Sequence, residues 1–370
     1  MLYVEFFGSS KDDFYSLKRI MKIKAQYYVI FGERSNGKTY ACLEKSIRDY
    51  ASSGAQACYV RRYKEDFVGK RGDQLCESHG DIVKEVTKGQ YDRISYYASR
   101  WFFARYDDDL HKVVRSDEPF MYGFSLNQME HDKGNSYSSV CNVIFDEFLT
   151  RSIYLRDEFA LFMNVLSTII RHRSNVTVFM LGNTVNKYCP YFVDMGLTHV
   201  NEMEPGKIDV YSYGDSDLKV VVERCATNKE KKKASDVYFA FDNPALKMIT
   251  GGEWEIDIYP HLPEKFKKSQ ICYKFFIVFS EQKLQCEIVD GECGVFCYIH
   301  NKTSRLKENP EDLVYTHEYD VRPNFRRNLT KPMLPIEHKI WSLFKADKVF
   351  YQDNEVGEIV RNYMNECRNL

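Results

Sequence analysis

One stretch constrains this chain more than any other: Gly32-Glu33-Arg34-Ser35-Asn36-Gly37-Lys38-Thr39 satisfies G-x-x-x-x-G-K-[ST] at every fixed position. It follows an apolar run at 27–31 and precedes a helical pattern at 40–50, so strand, loop and helix stand in the order the motif requires. Gly32 and Gly37 let the backbone curl with its N–H groups inward, through Glu33, Arg34, Ser35 and Asn36. The helix that follows turns its positive end toward the same point, which makes a cradle for nucleotide phosphates, ATP among them. Lys38 is expected to reach the outer phosphates. Thr39 is expected to offer its hydroxyl to Mg²⁺, a hard ion with octahedral oxygen ligands.

The surrounding pattern suits such a loop. Short β-rich runs at 27–31, 57–60, 140–145 and 176–181 alternate with helical patterns, which predicts an α/β fold with a mainly parallel sheet. The third run ends in Asp146-Glu147. At the carboxyl edge of a parallel sheet, Asp146 is placed to hold Mg²⁺ and Glu147 to orient the water that attacks a γ-phosphate. The alternative is an ordinary strand end meeting solvent. Asn183, just past the fourth run, is placed to feel the γ-phosphate, or else forms a turn.

Hydrolysis also needs positive charge where negative charge builds up. Phe159, Phe162, Leu166, Ile169 and Ile170 mark one buried face of a helix across 157–173, and that helix ends at Arg171 and Arg173. These arginines are candidates to act on a γ-phosphate in cis or from a neighbouring subunit, or they complement the negative end of the helix. Arg34 is a second candidate.

The length of 370 residues suits two domains. We expect an ATPase domain over 1–210, a linker or lid over 211–255 containing the basic stretch 224–233, and a smaller domain over 256–370. In that last part, runs at 271–279, 284–289 and 294–300 predict an antiparallel meander, and 355–367 predicts a helix. Lys+Arg 52 against Asp+Glu 53 gives a net charge of -1, so any nucleic-acid contact must depend on locally gathered cations. No run of 18 apolar residues occurs, and no membrane partner is expected. Eleven scattered cysteines suit reduced thiols in a cytoplasm. Cys286, Cys293, Cys297 and His300 can be read as zinc ligands, but their spacing matches no standard finger, and cysteines on adjacent strands usually face a core.

The phosphate loop, Asp146-Glu147 and Asn183 together resemble the additional-strand, catalytic-glutamate (ASCE) class of P-loop ATPases. With Tyr59-Val-Arg-Arg-Tyr-Lys64 and the Phe-Asp-Glu-Phe sequence at 145–148, the stretch 20–200 resembles the genome-packaging ATPases of small protein-primed podophages, relatives of the large terminases. The resemblance implies an ATP-driven motor that moves double-stranded viral DNA into a preformed capsid. It implies a homo-oligomeric ring, a pentamer, at the capsid portal, in the host cytoplasm and transiently on the procapsid. It further implies that Arg171 acts on the neighbour's nucleotide, that Lys133 reaches across the same interface, with Arg173 a further trans candidate, and that Arg61, Arg62 and Lys64 touch DNA in the channel or cap the nucleotide. The second domain is then a ribonuclease-H-like, vestigial nuclease. Phe275-Phe-Ile-Val-Phe279, on its expected first strand, carries no carboxylate for two-metal chemistry, so no cutting activity is expected. Docking of this end on the portal or a structural packaging RNA is implied, with Lys265, Lys267, Lys268, Arg326 and Arg327 as contacts. The other functional class the motifs allow is an ATP-gated nucleic-acid-binding switch or remodelling module without translocation.

Overall fold

The structure is a computed structural model that describes residues 14–128, 137–226, 254, 257–262, 265–292, 294–304, 306 and 309–370, and the backbone of 2–6. The chain divides into two compact units, Met1–Trp254 and Glu255–Leu370.

The first unit is built on one large sheet. Its strands are β1 (Leu2–Phe6), β2 (Tyr27–Gly32), β3 (Gln56–Arg61), β4 (Arg93–Tyr97), β5 (Arg100–Asp107), β6 (Lys112–Arg115), β7 (Met121–Ser125), β8 (Val140–Asp146), β9 (Thr177–Asn183), β10 (Ile208–Ser212) and β11 (Lys219–Arg224). Their order is β1-β10-β11-β2-β9-β8-β3-β7-β5-β4, with β6 on β5. The six strands from β11 to β7 run parallel. Parallel strands are covered on both faces, which is why β2, β8 and β9 read as continuous apolar runs. On one side Phe31, Val143, Phe145 and Met180 pack against Phe162, Leu166 and Ile169 of helix α4 (Glu158–Ile170). On the other, Ile30, Ile144, Phe179 and Leu181 pack against Cys42, Leu43 and Ile47 of α1 (Lys38–Ser53). Two short helices, α2 (Lys70–Leu75) and α3 (Gly80–Val86), precede the β4–β5 hairpin, and α5 (Pro190–Asp194) follows β9.

Two parts differ from the sequence expectation. The linker expected from residue 211 joins the sheet instead: β10 ends at Ser212, and after a turn β11 lies parallel beside β2. Only Val220, Val221 and Val222 announce β11, too short a run to stand out, yet all three are buried. Strands β4 to β7 were also not anticipated, because β4–β6 are half-exposed and carry charged residues between their aromatics. Residues 227–253, most of the expected lid, lie outside the described residues.

The second unit holds β12 (Ile271–Phe279), β13 (Gln282–Gly291), β14 (Gly294–Asn301), β15 (Val314–Thr316), β16 (Phe325–Arg326) and β17 (Val349–Tyr351), in the order β16-β15-β12-β13-β14-β17. The expected antiparallel meander β12–β14 is extended by β15 and β16, parallel to β12 and to each other, and by β17, parallel to β14. Helices α6 (Pro335–Lys345) and α7 (Asn354–Asn369) complete this unit of mixed sheet and helix. Asp353 caps α7 by accepting the N–H of Val356 at 2.8 Å.

Candidate active site

The strand order brings the motifs together. β9 lies between the phosphate-loop strand β2 and the acidic strand β8, and in register Gly32 stands opposite Asn183 while Asp146 stands opposite Leu181. All three strands therefore end at one edge, above the N-terminus of α1.

At that edge Gly32 has φ +153 and Gly37 φ +95, both conformations that L side chains rarely adopt. A Cβ on Gly32 would lie 2.9 Å from that of Cys225, which passes beneath the loop at the end of β11. The Lys38 ammonium spans the loop mouth: it donates to Glu33 O at 2.7 Å, Asn36 Oδ1 at 3.1 Å and Asn183 Oδ1 at 3.3 Å. Burial pushes its pKa down, and the acidic neighbours Cys225, Asp146 and Glu33 oppose that shift. Thr39 donates its hydroxyl to Asp146 Oδ2 at 3.0 Å, and Tyr59 donates to the same oxygen at 2.9 Å. The hydroxyl and carboxylate expected to share Mg²⁺ are thus already adjacent, a pair of hard oxygen donors that fits the ion.

Glu147 departs sharply from Asp146 although it is the next residue. It adopts φ +56, a strained value outside glycine, and its N–H donates to Asp146 Oδ1 at 3.0 Å. The turn sends its half-exposed carboxylate toward β3, where Arg61 Nη2 donates to Oε2 at 2.6 Å. A cavity of about 660 Å³ lies between these groups, bounded by loop residues 34–40, Asp146, Glu147 and Asn183, with Arg34 exposed at its rim. That is ample for a nucleoside triphosphate. A second, more apolar cavity of about 980 Å³ opens on the other side of the α1 N-terminus, between Phe14, Tyr15, Gly37 and Tyr40. Tyr15 N–H donates to Asn36 O at 2.8 Å, which ties this upstream segment to the loop.

Comparison with known proteins places the chain. The family described as podovirus DNA encapsidation protein (Gp16) matches residues 9–299. The chain belongs to that family. It is 25% identical over 196 residues to the DNA packaging protein of Bacillus phage phi29, and 28% identical over 173 residues to that of Bacillus phage B103. These matches span about half the length of both proteins: 50% of this chain and 51% of the phi29 protein, 45% and 47% for B103. A solved bacteriophage Phi-29 viral genome packaging motor assembly superposes with TM-score 0.57 at 18% identity, covering 96% of this chain and 100% of that one, a likeness of fold.

The remaining residues singled out in the sequence fall into three groups. Arg171 is exposed at the C-terminus of α4, which runs back from the site edge. Thirteen residues at 1.5 Å each put it about 20 Å along the helix from its start. Lys64 is exposed just beyond β3, on the site side. Lys133 lies outside the described residues.

Two expectations are corrected, and the less favoured zinc reading is decided. Arg62 does not face a channel: it is buried, holds both oxygens of Glu158 at 2.7 Å and donates to Phe148 O at 2.9 Å, because alternation along β3 turns it into the core opposite Arg61. Arg173 is not poised to act in trans. It donates to the carbonyls of Tyr137, Ser138, Val140 and Ile169 at 2.8–3.1 Å, tying the end of α4 to the start of β8. The zinc reading fails on the pleat, since Cys286 and Cys297 share one buried face while His300, opposite Gln285, is on the other and lies 3.9 Å from Glu287. Cys293 lies outside the described residues. In the second unit Arg326 is committed to the buried carboxylate of Glu337 at 2.9 Å and Arg327 to His317 O at 3.2 Å, whereas Lys265, Lys267 and Lys268 are exposed.

Sequence reasoning missed Tyr59, Cys225 and the Phe14–Tyr15 segment. A tyrosine inside an apolar strand or a cysteine after one carries no signal of its own. Only the register of β3 and β11 against β8 and β2 brings them to the phosphate loop.

Proposed function

We propose that this chain is the ATPase of a viral DNA-packaging motor, hydrolysing ATP at the edge of its parallel sheet. The observation that carries the reading is the placement of Glu147, turned away from Asp146 by a left-handed residue while Asp146 bridges to Thr39. Lys38 and the loop N–H groups hold the β- and γ-phosphates, and Phe14 and Tyr40 offer apolar surface to the base. Mg²⁺, held by Thr39 and Asp146, neutralises charge on the phosphate oxygens when bound. Glu147 accepts a proton from water as the new O–P bond forms and the bond from γ-phosphorus to the ADP oxygen breaks. Asn183 links Lys38 to the additional strand and so feels the γ-phosphate.

Family membership supports double-stranded DNA as cargo and a ring at the portal as the working assembly. Arg171 then supplies charge to the neighbour's γ-phosphate. Arg61 couples the two tasks, because it holds Glu147 and lies three residues before Lys64, the DNA-facing candidate. Docking on a structural RNA through Lys265, Lys267 and Lys268, and the absence of nuclease action, belong to the same reading.

The test is Glu147→Gln. ATP turnover is expected to fall about 10²–10⁴-fold while nucleotide affinity stays within a few-fold. Unchanged turnover sinks the assignment.

A further inference from the structure

The sheet extension that the sequence did not announce has two unlike faces. Along β5 the residues Trp101 and Phe103 point inward with Ile94 and Tyr96 of β4, and they pack into the core. The alternate residues point outward. Tyr97 pairs with Arg100, Phe102 with Ser95, and Tyr106 with Val113, while Arg115 of β6 stands beside Ala104 in the same row as Arg93. Tyr97 is 63% exposed, and Arg100 and Arg115 are exposed. Phe102 belongs to neither core cluster.

The charges on this outward face are of one sign. Arg93 is paired with Asp92 at 2.8 Å. Arg100 and Arg115 have no ion-pair partner among the described residues; Arg100 lies over the ring of Tyr122 at 5.9 Å, and Arg115 over Tyr97 at 5.2 Å while donating to Ser95 Oγ at 2.9 Å. Asp107, the carboxylate within these strands, is on the inward row with Arg105. A pleated sheet thus presents rings and guanidinium groups together, the guanidinium planes held against aromatic faces.

We propose that this outward face of β4–β5–β6 binds single-stranded nucleic acid, with bases stacked on Tyr97 and Phe102 and phosphates held by Arg100 and Arg115. Cations alone would suit any polyanion. The rings beside them, open in Tyr97 and part-buried in Phe102, select a polyanion that carries unpaired aromatic bases, since a duplex keeps its bases inside and presents only phosphate. The site is separate from the nucleotide cavity and uses none of its residues.

The test is fluorescence anisotropy of a labelled oligothymidylate with the full chain, at several salt concentrations. Tyr97→Ala is expected to weaken binding about tenfold, and Tyr97→Phe, which keeps the ring, to stay within about twofold. Replacing Arg100 and Arg115 together by Gln is expected to flatten the log–log salt slope by about 1.4, at about 0.7 per phosphate on a single strand. ATP turnover without nucleic acid is expected to be unchanged in all three. The proposal is overturned if the wild-type chain ignores the oligonucleotide, or if Tyr97→Ala binds as the wild type does. It is equally overturned if a duplex of the same length loses affinity as much as the single strand does. A shift in oligomeric state with oligonucleotide binding intact would make this face a subunit contact instead.

Discussion

Arg61 and Arg62 are consecutive and identical in chemistry, but Arg61 holds the exposed carboxylate of Glu147 and Arg62 the buried one of Glu158. Arg62 and Glu158 form a buried pair in which the carboxylate also accepts from Tyr191 and from Leu155 N–H. Removing the guanidinium leaves a buried anion, so Arg62→Ala is expected to cost about 3–5 kcal/mol and lower the melting temperature by roughly ten degrees, measured by circular dichroism. Arg61 binds a carboxylate whose side chain is 56% exposed. Arg61→Ala leaves only carboxylates that still reach water, so it is expected to lower the melting temperature by less than Arg62→Ala does and to alter ATP turnover. A matching loss of stability in the two variants would contradict the assignment of Arg61 to the site. Both arginines were visible as a basic pair in the sequence. Which one reaches the site edge and which the core depends on which face of β3 the helices cover, and no pair of neighbours can report that.

At the scale of elements, the joint between β2, α1 and the segment before α3 controls the loop. Gly32→Ala forces a side chain into a positive-φ position and against Cys225, so nucleotide binding is expected to be lost in a titration with a fluorescent ATP analogue, while the far-ultraviolet spectrum is kept. His79, just before α3, is buried and stacked on Tyr40 at 4.2 Å, with Nε2 3.2 Å from Tyr40 O. Burial pushes its pKa down, with the Tyr40 carbonyl, the Glu44 carboxylate and the Cys76 backbone opposing. The unfolded chain therefore takes up this proton more readily than the folded one. Stability from this group is complete above the ordinary histidine range and declines as pH falls through that range toward the lowered folded value. Urea midpoints at pH 7.5 and 5.5 should show a smaller acid loss in His79→Phe than in the wild type. An equal loss in both would mean that His79 is protonated in the fold. The glycines of this joint were legible because a phosphate loop demands them. His79 was not, since nothing in Ser-His-Gly marks a ring that will be buried against α1.

For the whole molecule, the proposed function needs more than one chain. Arg171 lies at the far end of α4 from the phosphate loop, so in the proposed function it acts on the nucleotide of a second subunit. Mixing wild-type with Arg171→Ala chains should reduce assembly-stimulated ATP turnover more steeply than the mixing ratio. A strictly linear loss would assign Arg171 to the helix end alone, as a partner of its carbonyls.

The sequence by itself determined the phosphate loop, the acidic pair and the parallel strands that carry them, because each depends on local rules: glycine where φ is positive, apolar runs where both faces are covered, carboxylates at a strand end. It also indicated the meander of the second unit through strand length and turn residues. Only the tertiary structure decided the partners. Strand order put β9 between β2 and β8 and so joined Asn183 to Lys38, and it inserted β11 with Cys225 beneath the loop. Pleat direction sent Arg61 to Glu147 and Arg62 into the core, while helix length carried Arg171 away from its own site. Such pairings span from 86 to nearly 200 residues of chain, and a side chain's environment at that separation depends on which surfaces meet, which no local pattern encodes.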